Sequence, residues 1–346
     1  MTDNNTSITL FDDGLGQATK AASGIISPWL SKRRNKRWYH LAKDGAEFFS
    51  KLVKDSQASY DVYQRSGTII TRNDPEKLTK LFELAKQKQK STPAMGEVLL
   101  LDQKEVKQKM PILTNPPAGI WVSGGAKIDG SAFVNHLISQ AEGLGVKIIP
   151  QKIKFADNHH LRFGNQTEYF DQIIVSAGAW IKQTVLPLGI NLEVRPQKGQ
   201  LIDLNFSKDH HFDSYPVLMP ESSSDIIPFE NGKLVIGATH EDDCGFDLQP
   251  TDEAKQLLLS NARHFISNLS ETDISDVRVG TRAYTKDFAP FVGSLPKYNN
   301  IYVAGGLGSS GLTTGPLIGY LIAKRLSGNS EDSWSDYSKP ISNYIG

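Results

Sequence analysis

The chain has 346 residues, 39% of them hydrophobic and 22% charged, and its formal net charge at pH 7 is zero. This length suffices for two hydrophobic cores, and the composition is that of an ordinary globular protein. Zero net charge excludes a general attraction to nucleic acid or to an anionic membrane. The single cysteine, Cys244, excludes an intrachain disulfide framework. With no targeting segment or membrane-spanning run, we expect a cytoplasmic protein without a nucleic-acid partner.

Helical and strand patterns alternate along most of the sequence. Asp74 followed by Pro75 starts a helix, because an acid caps the first turn and proline fits its first position. The elements predicted from apolar spacing are, in chain order, a strand at residues 7–11, a small-residue loop at 14–29, helices from 74 and over 133–141, strands at 146–149 and 171–175, a helix from 252, a strand at 300–304 and a final helix through 317–326.

The pattern changes between residues 195 and 239, where short strands are separated by turns. Glu230, Asn231 and Gly232 lie between two apolar runs and predict a β-hairpin. The sequence contains no internal repeat. We therefore predict one α/β domain interleaved with a mostly antiparallel one.

Residues 306–311 read GLGSSG, a G-x-G-x-x-G motif between a predicted strand and a predicted helix. Glycines at such a turn let the backbone approach a ligand closely. The acid expected about twenty residues later is Glu331, but it lies in a polar stretch with no strand to hold it beneath a ribose. A nicotinamide site here is therefore disfavoured. On these residues alone, a cofactor loop and a turn with nothing bound both stay open.

Four sequence segments, in this order and at this spacing, are typical of one protein family. They are GQATKAASGIISPW from residue 16, IIVSAGAW from 173, GTRAYTKDFAPFVG from 280 and GLGSSGLTTGP from 306. Together they resemble the superfamily of FAD-dependent D-amino-acid oxidases and glycine oxidases. The resemblance runs from residue 7 to the end of the chain. Within the superfamily it is nearest to a bacterial group of amino-acid oxidoreductases.

The resemblance implies a discontinuous, Rossmann-like FAD-binding domain at residues 1–56, 122–195 and 276–346. It also implies an antiparallel-sheet substrate domain at residues 57–121 and 196–275. FAD is expected to be non-covalent, because Cys244 is far in sequence from the C-terminal flavin loop. The implied cofactor-binding residues are Asp12, Asp13, Ala18, Thr19, Ser23, Gly24, Ile25, Ile153, Gly178, Gly280, Leu307, Gly308, Ser309, Ser310, Gly311, Leu312 and Thr313.

One expected segment is not found. In the superfamily a strand and a glycine-rich helix precede the strand that we place at residues 7–11, and here only MTDNNT does. We expect either a start codon assigned downstream of the true one or a degraded relative. A chain without that segment is expected to bind FAD weakly. The alternative function is a truncated, non-catalytic remnant that binds no FAD.

The resemblance assigns Arg282 to the carboxylate of a small amino-acid or amine substrate, whose C–N bond is oxidised by hydride transfer to flavin. Oxygen or a quinone would accept the electrons, and an oligomer is possible. From the residues alone, Arg282 would pair with Asp287. Asp225 stands where relatives often have a tyrosine and Ser309 where glycine oxidases have an arginine. Asp225 either attracts an amine-rich substrate in the active site or points to solvent.

Two other clusters have simpler interpretations. The basic run SKRRNKRWYH at residues 31–40 is interpreted as a solvated helix face rather than a nucleic-acid patch. The run HEDDC at residues 240–244 contains metal-ligand residue types, but at a spacing that does not put them on one side of an ion. We predict a loop there and no metal site.

Overall fold

The computed structural model describes residues 6–31, 35–206, 212, 214–221, 224–328 and 334–346, and within them seven α-helices and nineteen strands. The helices are α1 Lys36–Ser56, α2 Pro75–Gln89, α3 Gln103–Lys109, α4 Gly130–Gly143, α5 Ile181–Val185, α6 Asp252–Arg263 and α7 Gly311–Leu326. The strands are β1 Thr9–Phe11, β2 Ile25–Ile26, β3 Tyr63–Gln64, β4 Thr68–Ile70, β5 Val98–Leu101, β6 Gly119–Val122, β7 Ala126–Ile128, β8 Lys147–Ile149, β9 Lys154–Phe155, β10 His160–Phe163, β11 Gln166–Tyr169, β12 Ile173–Val175, β13 Arg195–Asn205, β14 Val217–Met219, β15 Asp225–Pro228, β16 Lys233–Gly237, β17 Ile274–Tyr284, β18 Phe291–Leu295 and β19 Tyr298–Gly305.

Eight strands form the largest sheet, in the order β17-β13-β16-β15-β14-β4-β6-β5. Every neighbouring pair is antiparallel except β14 and β4, which run parallel. Helix α6 covers one face, where its Leu258 and Leu259 share a core with Ile202 and Leu204 of β13. One face of the sheet is therefore buried against a helix, and the other borders the site described below at its β13–β17 end.

The hairpin predicted at residues 230–232 is present between β15 and β16. Asn231 and Gly232 have φ angles of 57° and 70°. Positive φ at both central residues is the requirement of a type I′ turn, which matches the twist of the two strands. The turn places Asp225, the first residue of β15, opposite Gly237.

The parallel strands form two smaller sheets. Strand β1 pairs with β8 and β12 pairs with β19, both in parallel, while the other edge of β19 pairs with β18 in antiparallel fashion. Among the described residues no strand pairs with the other edge of β1 or of β12. The absence of a preceding strand and glycine-rich helix, and the division into two domains, stay predictions. Strand β17, which crosses the predicted boundary at residue 276, belongs to the eight-stranded sheet.

Helix α1 was not predicted as a helix of this length. Asn35 caps it by accepting a hydrogen bond from the Trp38 amide. The Trp38 indole is 5% exposed and donates to Ser310 Oγ at 2.8 Å, so it is not part of a solvated face. Lys32, Arg33 and Arg34 of the basic run, and Glu331, lie outside the described residues. Among the described helices none is long and apolar enough to cross a membrane.

Gly45 allows α1 to lie directly against the start of α7. A Cβ at Gly45 would be 2.5 Å from the Thr313 carbonyl oxygen. We expect Gly45→Ala to lower the free energy of unfolding by about 1–3 kcal/mol, because the two helices must separate to admit the methyl group. Urea unfolding monitored by circular dichroism measures this change.

Gly319 in α7 is the matched control, because a Cβ there has no neighbour within 4 Å. Gly319→Ala is expected to be neutral or to stabilise by up to about 1 kcal/mol, as alanine is the better helix former. Equal stability of the Gly45→Ala variant and the wild type would show that the contact between α1 and α7 is not tight.

Candidate active site

A cleft walled mainly by small side chains separates the loop of residues 18–23 from the start of α7. Strands β13 and β17 form its floor. We call it the small-residue cleft, and it is lined by Ala18, Thr19, Ala21, Ala22, Ser23, Gly199, Ala238, Gly280, Arg282, Gly308, Ser309, Gly311 and Leu312. Nearly all of these residues present backbone or a single small group. A flat ligand can therefore lie close to the backbone on both sides.

The loop of residues 18–23 is fastened to β17. Arg278 Nη1 donates to the carbonyl oxygens of Lys20 and Ala22 at 3.3 Å each. The same guanidinium pairs with Asp203 on β13 at 2.7 Å. A Cβ at Gly280 would be 2.8 Å from Ala21 Cβ, so glycine is what lets the loop approach the strand. The first wall of the cleft is thus fixed by β17 itself.

The opposite wall is the turn that contains the G-x-G-x-x-G motif. Gly308 has φ 54°, and a Cβ there would be 2.1 Å from Tyr284 Cε1. Tyr284 Oη in turn accepts a hydrogen bond from the Ser309 amide at 3.1 Å. Residues 308–310 form one 3-10 turn that leads into α7. Gly311 and Leu312, the first residues of α7, line the cleft, so the positive end of this helix lies beside it.

Arg282 lies where the small-residue cleft meets a second, larger cavity. Its Nη1 donates to Gln197 Oε1 at 3.0 Å and to the Thr239 carbonyl at 2.9 Å. A Cβ at Gly199 would be 2.6 Å from Arg282 Cζ, so the guanidinium lies flat on that glycine. The alternative pairing is not formed, since Asp287 hydrogen-bonds Lys339 and Tyr344 instead.

The larger cavity has a volume of about 370 Å³, in the range of small-molecule sites. We call it the arginine cavity, because both Arg72 and Arg282 line it. Among the residues implied by the resemblance, those that line it are Ser23, Gly24, Ile25, Asp225, Arg282, Ser309, Ser310, Leu312 and Thr313. Trp38 and His240, whose positions the sequence did not indicate, complete its wall.

Asp225 is partly buried in the wall of the arginine cavity rather than pointing to solvent. Burial raises the pKa of its carboxyl group to about 7. The cause is loss of hydration, which disfavours the charged form. Asp225 therefore exchanges a proton near neutral pH.

Five of the implied cofactor residues lie outside both spaces. Asp12 follows β1 and accepts hydrogen bonds from the Gly14 amide at 2.8 Å and from Gln17 Nε2 at 2.7 Å. Asp13 pairs with Lys152 at 3.2 Å. Ile153 packs against a separate core, and Gly178 begins a short 3-10 helix after β12. Leu307 packs beside the turn, against the core that contains Leu317.

The run HEDDC is a loop after β16, and its polar groups are taken up by strand β13. His240 Nδ1 contacts Gln197 Oε1 at 3.1 Å, and Glu241 Oε1 accepts from Gln200 Nε2 at 2.9 Å. Lys198, which is buried, pairs with Asp247 at 2.6 Å. No group of three metal-ligand side chains occurs in the described part of the chain.

The comparisons with known proteins agree with this fold and place it in a class of FAD-dependent oxidoreductases. The DAO family model, described as FAD dependent oxidoreductase, matches residues 3–325. The chain belongs to this family. The resemblance and the predicted α/β fold class are thereby confirmed.

Among its relatives, the uncharacterized oxidoreductase YurR of Bacillus subtilis is 38% identical over 326 residues, which are 92% of this chain and 87% of that protein. Glycine oxidase of Pseudomonas aeruginosa is 30% identical over 46% of this chain and 42% of that enzyme. The crystal structure of iminodiacetate oxidase from Chelativorans sp. BNC1 matches with a TM-score of 0.91 and 28% identity, covering 97% of this chain and 94% of the other.

Gly308 and Gly311 line the same cleft but are expected to respond differently to substitution. Gly308→Ala should lower the melting temperature, because a left-handed conformation costs alanine about 1–2 kcal/mol and its methyl group meets Tyr284. Gly311 has φ −54°, and its nearest neighbour would be Leu307 Cβ at 3.5 Å. Gly311→Ala is therefore expected to melt like the wild type. Equal melting temperatures for both variants would contradict the tight contact at Tyr284.

The raised pKa of Asp225 makes stability depend on pH. The group binds its proton more tightly in the folded chain than in the unfolded one, where its pKa is about 3.9. Its contribution to stability is therefore present at low pH and is lost as the pH rises toward about 7. We expect Asp225→Asn to gain stability relative to the wild type between pH 4 and 7 and to hold that gain above pH 7.

Urea unfolding across this pH range measures the difference in the free energy of unfolding. The exposed Asp243 supplies the control variant, Asp243→Asn, for simple loss of a carboxylate. The same pH slope in both variants would show that Asp225 has no special environment.

Proposed function

We propose that the chain binds FAD non-covalently, with its ring in the small-residue cleft, and oxidises the C–N bond of a small amino acid or amine in the arginine cavity. The observation that carries this proposal is the placement of Arg282 where the two spaces meet, since it lines both of them. A substrate whose carboxylate is held there has its neighbouring carbon at the mouth of the cleft.

The residues of the cleft fit a planar ring. Gly199 and Gly280 are paired on β13 and β17, and their lack of side chains lets the Arg282 guanidinium and the loop at Ala21 lie directly against the two strands. On one side stands the loop of residues 18–23, and on the other are the backbone amides at the start of α7. These amides suit the electronegative edge of a flavin, since they donate hydrogen bonds and lie at the positive end of the helix dipole. When bound, FAD supplies the acceptor for a hydride from the substrate.

Arg282 would orient the substrate. A guanidinium binds a carboxylate through two parallel, charge-assisted hydrogen bonds, which fix both position and direction. Gln197, Thr239 and Gly199 hold the Arg282 side chain in place before the substrate arrives. Less ordering is therefore required when the substrate binds.

Asp225 would accept the proton that the substrate's ammonium group loses before oxidation. Hydride leaves the carbon beside nitrogen most readily when the nitrogen carries a free electron pair, so an ammonium group must first lose a proton. A carboxyl group with a pKa of about 7 takes up and releases a proton near neutral pH. Asp225 lines the same cavity as Arg282 and is thus a candidate acceptor for the amine proton, at its carboxylate oxygens.

The relatives support an amine that carries a carboxylate. Iminodiacetate oxidase and glycine oxidase are named for such substrates, a secondary and a primary amine respectively. The small cavity and its arginines suit a molecule of this size and charge. We propose the same class for this chain, with oxygen or a quinone as electron acceptor.

The test is Arg282→Leu, made in protein saturated with FAD. Loss of one partner of a buried charge pair costs about 2–5 kcal/mol, so kcat/KM should fall by roughly 30-fold or more. Bound flavin, measured by its visible absorbance, should not change, because the backbone of the cleft stays in place. Stopped-flow reduction of the flavin under anaerobic conditions gives the rate for each amine.

Arg162 on β10 is exposed and lines neither space, so Arg162→Leu controls for the loss of a positive charge. Normal oxidation of carboxylate-bearing amines by the Arg282→Leu variant would show that Arg282 does not bind the substrate carboxylate. A wild-type protein that takes up no flavin would refute the proposed function and favour a non-catalytic remnant.

A further inference from the structure

A second arginine lies in the wall of the arginine cavity. Arg72 follows β4, a buried strand of the large sheet, and only 10% of its side chain is exposed. It enters the cavity from β4, whereas Arg282 enters from β17 at the far edge of the same sheet. The cavity therefore has positively charged groups contributed by two distant strands.

The protein uses few of the hydrogen-bond donors of Arg72. A guanidinium has five N–H groups. Nη1 donates to the Thr71 carbonyl at 2.6 Å, and Nε lies 3.9 Å from Glu221 Oε1, at the limit of an ion pair. Glu221 Oε2 accepts from the Asn73 amide at 3.0 Å, so part of that carboxylate serves the backbone. Nη2 forms no hydrogen bond with a described residue.

The backbone around Arg72 is held firmly. The Thr71 amide donates to the Met219 carbonyl at 3.1 Å, and Thr71 Oγ1 accepts from the Glu221 amide at 3.3 Å. These bonds join the end of β4 to the end of β14. Arg72 thus stands on a rigid support with donors to spare, as a side chain built to bind an anion does.

The two guanidinium groups of the cavity can bind two anionic groups of a ligand. Two guanidinium groups line it, and guanidinium remains charged at any physiological pH. Glu221 pairs with Arg72 only at the limit of an ion pair, 3.9 Å, and incomplete pairing of a buried cation is costly. A ligand with a single carboxylate would satisfy Arg282 and leave Arg72 without a strong partner.

We propose that Arg72 binds a second carboxylate, so that the substrate is a small amine flanked by two carboxylates, one on Arg282 and the other on Arg72. This inference rests on the proposed function, because it assumes that the substrate occupies the arginine cavity. Arg72 then determines specificity and takes no part in the bond that is oxidised.

Two probes separate the role of Arg72 from the chemistry. Iminodiacetate and N-methylglycine are both secondary amines. Iminodiacetate has two carboxymethyl groups on its nitrogen, whereas N-methylglycine has one carboxymethyl group and one methyl group. The FAD-loaded wild type is expected to have a kcat/KM at least about 30-fold higher for iminodiacetate, the amount typical of a buried charge pair. Arg72→Met should abolish this preference, because it should raise KM for iminodiacetate far more than KM for N-methylglycine.

Arg72→Lys should restore part of the preference, because lysine supplies the charge without the paired geometry. The nearby exposed Arg65, whose Nη2 donates to the Ala94 carbonyl, provides the control variant Arg65→Met. That variant should keep the wild-type preference.

Calorimetric titration of both probes into each protein distinguishes failure of this inference from failure of the proposed function. Loss of iminodiacetate binding in Arg72→Met without any turnover in the wild type would refute the oxidase function and retain the anion site. Turnover of both probes with equal effects of Arg72→Met, or no preference in the wild type, would overturn the role of Arg72 and retain the oxidase.

Discussion

The site depends on the antiparallel pairing of β13 with β17. This ladder places Gln197 opposite Arg282 and Gly199 opposite Gly280. One consequence is the close approach of the loop at Ala21 to Gly280, and the other is a guanidinium that lies flat on Gly199 and bonds to Gln197. A shift of one residue in this register would turn Arg282 to the opposite face of the sheet. The open space and the charged group beside it therefore come from one set of backbone hydrogen bonds.

Strand β17 also positions both walls of the small-residue cleft. Residues two apart on a strand face the same side, and Gly280, Arg282 and Tyr284 follow this rule. Gly280 receives the loop that contains Ala21, Arg282 reaches the cavity, and Tyr284 supports the turn at Gly308. Helix α1 secures that turn from behind through Gly45 and Trp38. The G-x-G-x-x-G motif thus reflects close packing against an aromatic ring as well as access for a ligand.

Local patterns in the sequence predicted most elements. Asp74 with Pro75, the hairpin at Asn231 and Gly232, and the apolar stripe of α4 are decided by residues near one another in the chain. Arg282 was assigned by resemblance, since nothing local distinguishes it from an arginine paired with Asp287. Arg72 was missed because its exposure depends on the pairing of β4 with β14, about 150 residues apart. Trp38 was taken for part of a solvated run, and only its contact with Ser310 in α7 accounts for its burial. The environment of Asp225 likewise depends on strands distant in sequence.

The central claim is that the ring of the cofactor lies in the small-residue cleft while Arg282 holds a carboxylate at its edge. A crystal structure of the FAD-loaded protein soaked with acetate, a carboxylate that cannot be oxidised at a C–N bond, tests it most directly. We predict the ring between the loop of residues 18–23 and the start of α7, with both acetate oxygens about 2.7–3.2 Å from the Arg282 guanidinium. A ring bound elsewhere, or an Arg282 side chain turned away from the acetate, would contradict this account.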